Sequence, residues 1–120
     1  MAKNEVCHIE WEVTNMERSQ RFYQEMFDWK FQPFGDQMTT FGSGDKHIGG
    51  LFKRDKVNPG TSPSIWIEAD DIDHYIKRAS QAGGSSGTEK QMVPSVGWTA
   101  TIKDPDGNSV GLVQFVRAGV

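Results

Sequence analysis

The chain reads as an α+β domain made of two βαβββ modules, and three features carry that reading. An alternating stretch from Cys7 to Val13 runs into a helix-start signal at Thr14 and Glu17. A second alternating stretch, Ser64 to Ala69, runs into an equivalent pair, Asp70 and Asp73, at an offset of 56 residues (70 minus 14). Three further strand candidates follow each helix.

Taken in order, Cys7, Ile9, Trp11 and Val13 are apolar while His8, Glu10 and Glu12 between them are polar, the pattern of a half-buried strand. Met16, Phe22, Tyr23, Met26 and Phe27 then recur on one face at helical spacing, so a helix packs on that strand's apolar side. Segments around Lys30 to Phe34 and Gln37 to Phe41, a Gly-Ser-Gly-Asp turn at Gly42 to Asp45, and a strand from His47 to Phe52 complete the first module, about 6–53. Asn58-Pro59-Gly60 and Ser62-Pro63 disfavour helix and central strand and mark 54–63 as a linker. In the second module, about 64–116, Ile65, Ile67 and Ala69 alternate with Ser64, Trp66 and Glu68. A helix bearing Ile72, Tyr75, Ile76 and Ala79 stops at Gly83-Gly84. Strand candidates follow near Lys90 to Val93, Trp98 to Lys103 and Ser109 to Val116, the last two joined by the turn Asp104 to Asn108.

With 120 residues, 36% hydrophobic and 24% charged, the chain is the size of one domain with enough apolar bulk for a core. A net charge of -3, with the basic residues scattered singly, offers no stripe for nucleic acid or anionic lipid. No apolar run approaches the roughly 18 residues of a membrane span, and no secretory leader is visible. The expectation is a soluble, cytoplasmic protein. A single cysteine, Cys7, forms no internal disulfide and reads as a small buried residue on its strand.

Two segments carry a family resemblance. His8-Ile-Glu-Trp-Glu-Val with Asn-Met-Glu-Arg-Ser-Gln-Arg-Phe-Tyr23 resembles the opening strand and helix of the vicinal oxygen chelate superfamily, which includes glyoxalases, bleomycin-resistance proteins and extradiol dioxygenases. Asp104-Pro-Asp-Gly-Asn-Ser-Val-Gly-Leu112 resembles its closing hairpin, and the likeness runs from Val6 to Phe115. The resemblance implies that the two modules form a curled, eight-stranded mixed sheet, with one helix per module on the convex side and the site on the concave side. It also implies a divalent metal whose ligand positions fall here on His8, Gly50, Ser64 and Gly111. Only His8 is a ligand type, whereas a catalytic site needs about three protein ligands. No metal or other cofactor is therefore expected, and the chain is similar to metal-free branches of the superfamily.

Strand parity names the residues facing away from the helices: His8, Glu10 and Glu12; Ile48, Gly50 and Phe52; Ser64, Trp66 and Glu68; Ser109, Gly111 and Val113. One β-bulge would scramble part of this list. His8 is a candidate general base, oriented by Glu10 or Glu68, or else a histidine on a solvated sheet face. Glu12 and Glu68 are equivalent in the repeat and are candidates for a carboxylate pair working as acid or base, against the alternative of two solvated carboxylates. Phe52, Trp66 and Trp98 suit an apolar or aromatic ligand, with core or dimer packing as the competing role. Trp11 shares the parity of the core. His47, in a hairpin, and His74, in the first turn of a helix, read as exposed. Gly83-Gly-Ser85-Ser-Gly87 matches a nucleophile-elbow pattern but follows a helix, so it reads as a flexible loop. Gly42-Ser-Gly44 lacks the third glycine of a dinucleotide fingerprint.

These readings lead to a small-molecule-binding protein, a homodimer by the family's habit, that either sequesters its ligand or performs a lyase or isomerase reaction through His8, Glu12 and Glu68. The ligand contacts expected are Glu10, Gly50, Phe52, Ser64, Trp66, Trp98 and Gly111. Two alternatives stand beside this: a metal-dependent lyase or dioxygenase with non-standard ligands, and a non-catalytic protein-interaction module.

Overall fold

Two βαβββ modules, each with one helix packed on its own strands, make up the chain. The computed structural model describes residues 3–58 and 60–116, so Pro59 of the expected linker lies outside the described residues. The chain divides into two units, 7–64 and 1–6 with 65–120, and each is described by itself.

The first unit contains β1 (Val6–Val13), of which Val6 belongs to the second, α1 (Met16–Phe27), β2 (Lys30–Phe34), β3 (Met38–Ser43) and β4 (Lys46–Lys53). Its strands lie in the order β2-β3-β4-β1, antiparallel except for the parallel pair of β1 and β4. Val13, Phe41 and Leu51 are the buried centre, with Trp11, Met16, Tyr23, Trp29 and Phe31 packed around them. The rings lie nearly parallel, Trp29 on Phe41 at 4.6 Å and Trp11 on Tyr23 at 5.1 Å, so aromatic area fills this core. Trp11 thus takes the core position its parity implies. Leu51 is wholly buried, which contributes roughly 1.5–3 kcal/mol.

The second unit contains β5 (Ser64–Glu68), of which Ser64 belongs to the first, α2 (Ile72–Gln81), β6 (Ser85–Ser86), β7 (Gln91–Val93), β8 (Gly97–Lys103) and β9 (Ser109–Phe115). β5 runs parallel to β9, repeating the relation of β1 to β4, and β9 is antiparallel to β8, while β6 and β7 both pair with β8 and together take the place of one strand of the module. Ile72, Ala100 and Leu112 form the buried centre, with Tyr75, Ile76, Trp98 and Ile102 around it. Residues ahead of β1 belong here too. Asn4 N–H donates to the Glu68 carbonyl at 2.7 Å, and Glu68 N–H donates to the Glu5 carbonyl at 2.9 Å.

Both helices start one residue later than the sequence pattern suggests. The caps are Asn15, accepting from the Arg18 N–H, and Asp71, accepting from the His74 N–H. Thr14 instead accepts from the Arg18 guanidinium at 3.1 Å, and Asp70 pairs with Lys3 at 3.2 Å. The shift is the same in both modules, so the 56-residue offset survives (71 minus 15). The end of α2 is as expected: Gly83 takes φ +97° while the Gly84 N–H donates to the Ala79 carbonyl and the Gly83 N–H to that of Ser80.

One expected loop is structured. Ser85 and Ser86 pair with Lys103 and Ile102, and Gly87 and Thr88 donate to the Thr101 carbonyl and hydroxyl oxygens respectively. The Gly83–Gly87 run is therefore an edge segment laid along β8 and not a free loop. Glycine at 87 permits that approach, since a Cβ there would lie 2.3 Å from the Thr101 hydroxyl oxygen. Among the described residues no helix is long and apolar enough to cross a membrane.

Candidate functional site

On the first unit, the face turned away from α1 is set by strand register. β1 and β4 are parallel, with Glu10 beside Gly50 and Glu12 beside Phe52. Across β4, Gly50 is beside Thr40 and Phe52 is beside Met38. Glu10, Glu12, Gly50, Phe52, Met38 and Thr40 therefore share one face, while Trp11 and Leu51 share the other.

A β-bulge interrupts the pairing of β3 with β4. Between the pairs Phe41–Gly49 and Gly42–His47, β4 advances two residues while β3 advances one, so Ile48 is the extra residue. The expected parity of this strand end is reversed. Ile48 packs on the core cluster and leaves the open face, and His47 takes its place there, beside His8. The sequence signal for this exists in Gly49-Gly50, since paired glycines inside a strand mark a bulge or a close backbone approach.

His8 and His47 are joined by a 2.8 Å contact between Nδ1 of His8 and Nε2 of His47. On the other side of the same ring, Nε2 of His8 lies 3.3 Å from the Glu10 carboxylate. The imidazole planes are 13° apart with centroids at 5.1 Å. Together with the short nitrogen–nitrogen contact, that separation describes rings lying edge to edge in nearly one plane, not one ring above the other. His8 and Glu10 are thus brought together, and His47 joins them. The pKa of His47 is lowered from its ordinary value, first by desolvation and then by the charge of His8.

Glu12 is engaged elsewhere. The Arg54 guanidinium donates to its carboxylate at 2.9 Å, the Thr61 hydroxyl lies at 3.4 Å, and Arg54 also rests over the Phe52 ring at 4.5 Å. Both carboxylate oxygens of Glu12 are thus engaged, one by Arg54 and the other by Thr61, away from the His8–Glu10 pair.

On the second unit, Trp66, Glu68, Gly111, Val113, Thr99 and Thr101 share the face turned away from α2. Trp66 covers Gly111 so closely that a Cβ there would lie 2.3 Å from the indole. One Glu68 carboxylate oxygen is buried without a hydrogen-bond partner. Ser64 opens β5 and is half-buried. Trp98 is not on this face. It pairs in register with Gln114 and packs with Ile72, Ala100 and Leu112 under α2, while Lys90 lies over its ring at 4.5 Å. The alternation of Trp98, Ala100 and Ile102 with Thr99, Thr101 and Lys103 already carries that placement. His74 is exposed on α2, as its position implies.

The fold and its faces define a class: a duplicated βαβββ protein whose modules each turn a mixed polar and apolar sheet face away from their helix. The model of the glyoxalase/bleomycin resistance protein/dioxygenase superfamily matches residues 6–112, and the chain belongs to that superfamily. No curated protein matches the sequence. A hypothetical protein from Bacillus halodurans is similar in structure, at 15% identity and a TM-score of 0.74, with 99% of each chain covered. Methylmalonyl-CoA epimerase from Mycobacterium tuberculosis is 14% identical with a TM-score of 0.69, over 93% of this chain and 88% of that one. An extradiol ring-cleaving dioxygenase from B. fuscum is 17% identical with a TM-score of 0.72, over 96% of this chain and 33% of that one. At these identities the structural likeness establishes the fold alone.

The metal that the superfamily implies does not fit the residues here. Gly50 and Gly111 offer no side-chain donor, and the neutral hydroxyl of Ser64 is a poor one. The space beside Gly50 is taken by the Met38 thioether, 3.1 Å from where a Cβ would sit, and the space beside Gly111 by the Trp66 indole. Among the described residues no group of three or more His, Cys, Asp or Glu side chains is arranged to hold a metal ion.

Proposed function

We propose that the chain binds a small apolar or aromatic molecule on the open face of its first module and works without the superfamily's divalent metal, as a lyase or isomerase driven by proton transfer. The observation that carries the reading is the replacement of ligand side chains by Gly50, with Met38 packed beside it, next to an intact His8–Glu10 pair. Phe52 and Met38, which covers Gly50, give an apolar floor, and His8, Glu10 and His47 give the few placed polar groups that such sites use. General acid–base catalysis by a positioned imidazole contributes typically 10²–10⁴-fold, which suits a reaction with a single mobile proton.

Chemical-shift mapping tests this. A panel of one- and two-ring aromatic carboxylic acids and their neutral analogues, titrated into labelled protein, should give saturable shifts centred on His8, Glu10, Gly50 and Phe52. Shifts confined to the helices, or none across the panel, would overturn the reading. Binding of a protein partner across this face, with no small-molecule response, would favour the interaction-module alternative.

A further inference from the structure

We propose that the groove between α2 and β8 binds a small organic carboxylate, with Arg78 as the residue that holds the anion. The groove lies within the second unit, on the helix side of its strands, and is separate from the open face of the first module.

Helical spacing builds one wall. His74, Arg78 and Ala82 follow one another at single-turn intervals along α2 and its cap residue, and Tyr75 and Ala79 form the neighbouring row. Together with Ile102 of β8 they line a cavity of about 460 Å³. Ala79, Ala82, Ile102 and the Tyr75 ring make its surface largely apolar. The end nearest the start of α2 is polar, and residues ahead of β1 complete it. Lys3 pairs there with Asp70 at 3.2 Å, and the Tyr75 hydroxyl donates to the Asn4 side-chain oxygen at 2.5 Å.

Charge then selects the occupant. Lys3 and Asp70 offset each other, and Asp73, in the first turn of α2, is held by Lys90 at 2.9 Å. Among the described residues the Arg78 guanidinium has neither an ion pair nor a hydrogen bond. Its full positive charge borders the cavity without a partner, and its planar fork of N–H donors matches the two oxygens of a carboxylate. The His74 ring, one turn away, supplies a further N–H donor. A phosphate monoester is close to a dianion at neutral pH, so it would be set against Asp70 at the polar end. The apolar wall asks for a hydrocarbon body behind the carboxylate.

The duplication of the fold supplies an internal comparison. Fifty-six residues before His74, Arg78 and Ala79 (78 minus 22) stand Arg18, Phe22 and Tyr23, and they line a cavity of about 430 Å³ beside α1. Phe22 takes the place of Arg78 there, and the Arg18 guanidinium already donates to the Thr14 hydroxyl at 3.1 Å. The two modules thus share the groove, and only the second places an unpartnered cation at this position.

Chemical-shift mapping with phenylacetate, hexanoate, phenyl phosphate and the neutral phenethyl alcohol tests the assignment. The two carboxylates should give saturable shifts at Tyr75, Arg78, Ala79 and Ile102, and both should bind more tightly than the phosphate or the alcohol. Arg78→Gln, at an exposed position, should weaken the carboxylates about tenfold or more and leave the alcohol unchanged. Ala82→Leu, also at an exposed position, fills the cavity with Arg78 intact and should abolish carboxylate binding. Equal affinity for acid and alcohol, tighter binding of the phosphate, affinity unmoved by Arg78→Gln, or no saturable shift at these residues would each overturn the proposal. The reporting residues differ from His8, Glu10, Gly50 and Phe52, so this outcome and that of the open face are read independently.

Discussion

Gly49→Ala unfolds the protein or removes at least about 3 kcal/mol of stability, while Gly50→Ala changes stability by less than about 1 kcal/mol. The two glycines are neighbours on β4 but meet different obstacles. A Cβ at 49 would sit 1.8 Å from the Ile9 carbonyl oxygen, backbone of the paired strand β1, which can give way only by breaking the pairing that seats the first module's core. A Cβ at 50 would meet the Met38 sulfur at 3.1 Å and His8 Cε1 at 3.4 Å, and an unbranched thioether can swing aside. With total stabilities of about 5–15 kcal/mol, the first loss is a large share of the whole and the second a minor one. Urea unfolding of both variants measures the contrast, and equal losses would show that the bulge next to Gly49 relaxes to admit a side chain.

Gly111→Ala is expected to cost about 1–3 kcal/mol, and most of that cost should vanish when Trp66 is also replaced by alanine. The indole lies 2.3 Å from the added Cβ, so the alanine must displace Trp66 from the sheet face. Trp66→Ala alone removes that packing and leaves the glycine exposed, hence the double variant should be more stable than the sum of the two single losses implies. Additive losses would mean that Trp66 already leaves its position readily. A longer side chain at 111, as in Gly111→Glu, would likewise meet the Trp66 ring.

Much of the architecture was legible because it rests on short-range patterns. Alternation on β1 and β5, the duplicated cap signals and the Gly83-Gly84 stop are set by local backbone chemistry, and each module folds as they indicate. The caps fell one residue later than expected because Asn15 and Asp71, not Thr14 and Asp70, hold the extended backbone of an N-cap. The open face was legible only as far as strict alternation holds. His8 and Glu10 share the open face because the register of β1 is unbroken, whereas Ile48 and His47 exchange faces at a bulge that one-dimensional parity does not locate. Trp98 lies with the core because it alternates in phase with Ala100 and Ile102 along β8. Nothing local could reveal that Trp66 covers Gly111, because that contact joins residues of two strands through their register.

The central claim is that this member of the superfamily has lost the metal site while keeping the fold and an acid–base group beside it. Elemental analysis of the protein, purified without chelators or a metal-affinity tag and then dialysed against zinc, nickel, iron and manganese in turn, tests that claim most directly. The account predicts far less than one equivalent of any of these per chain, with no loss of metal on His8→Ala because there is none to lose. About one tightly held equivalent, abolished by His8→Ala, would contradict it.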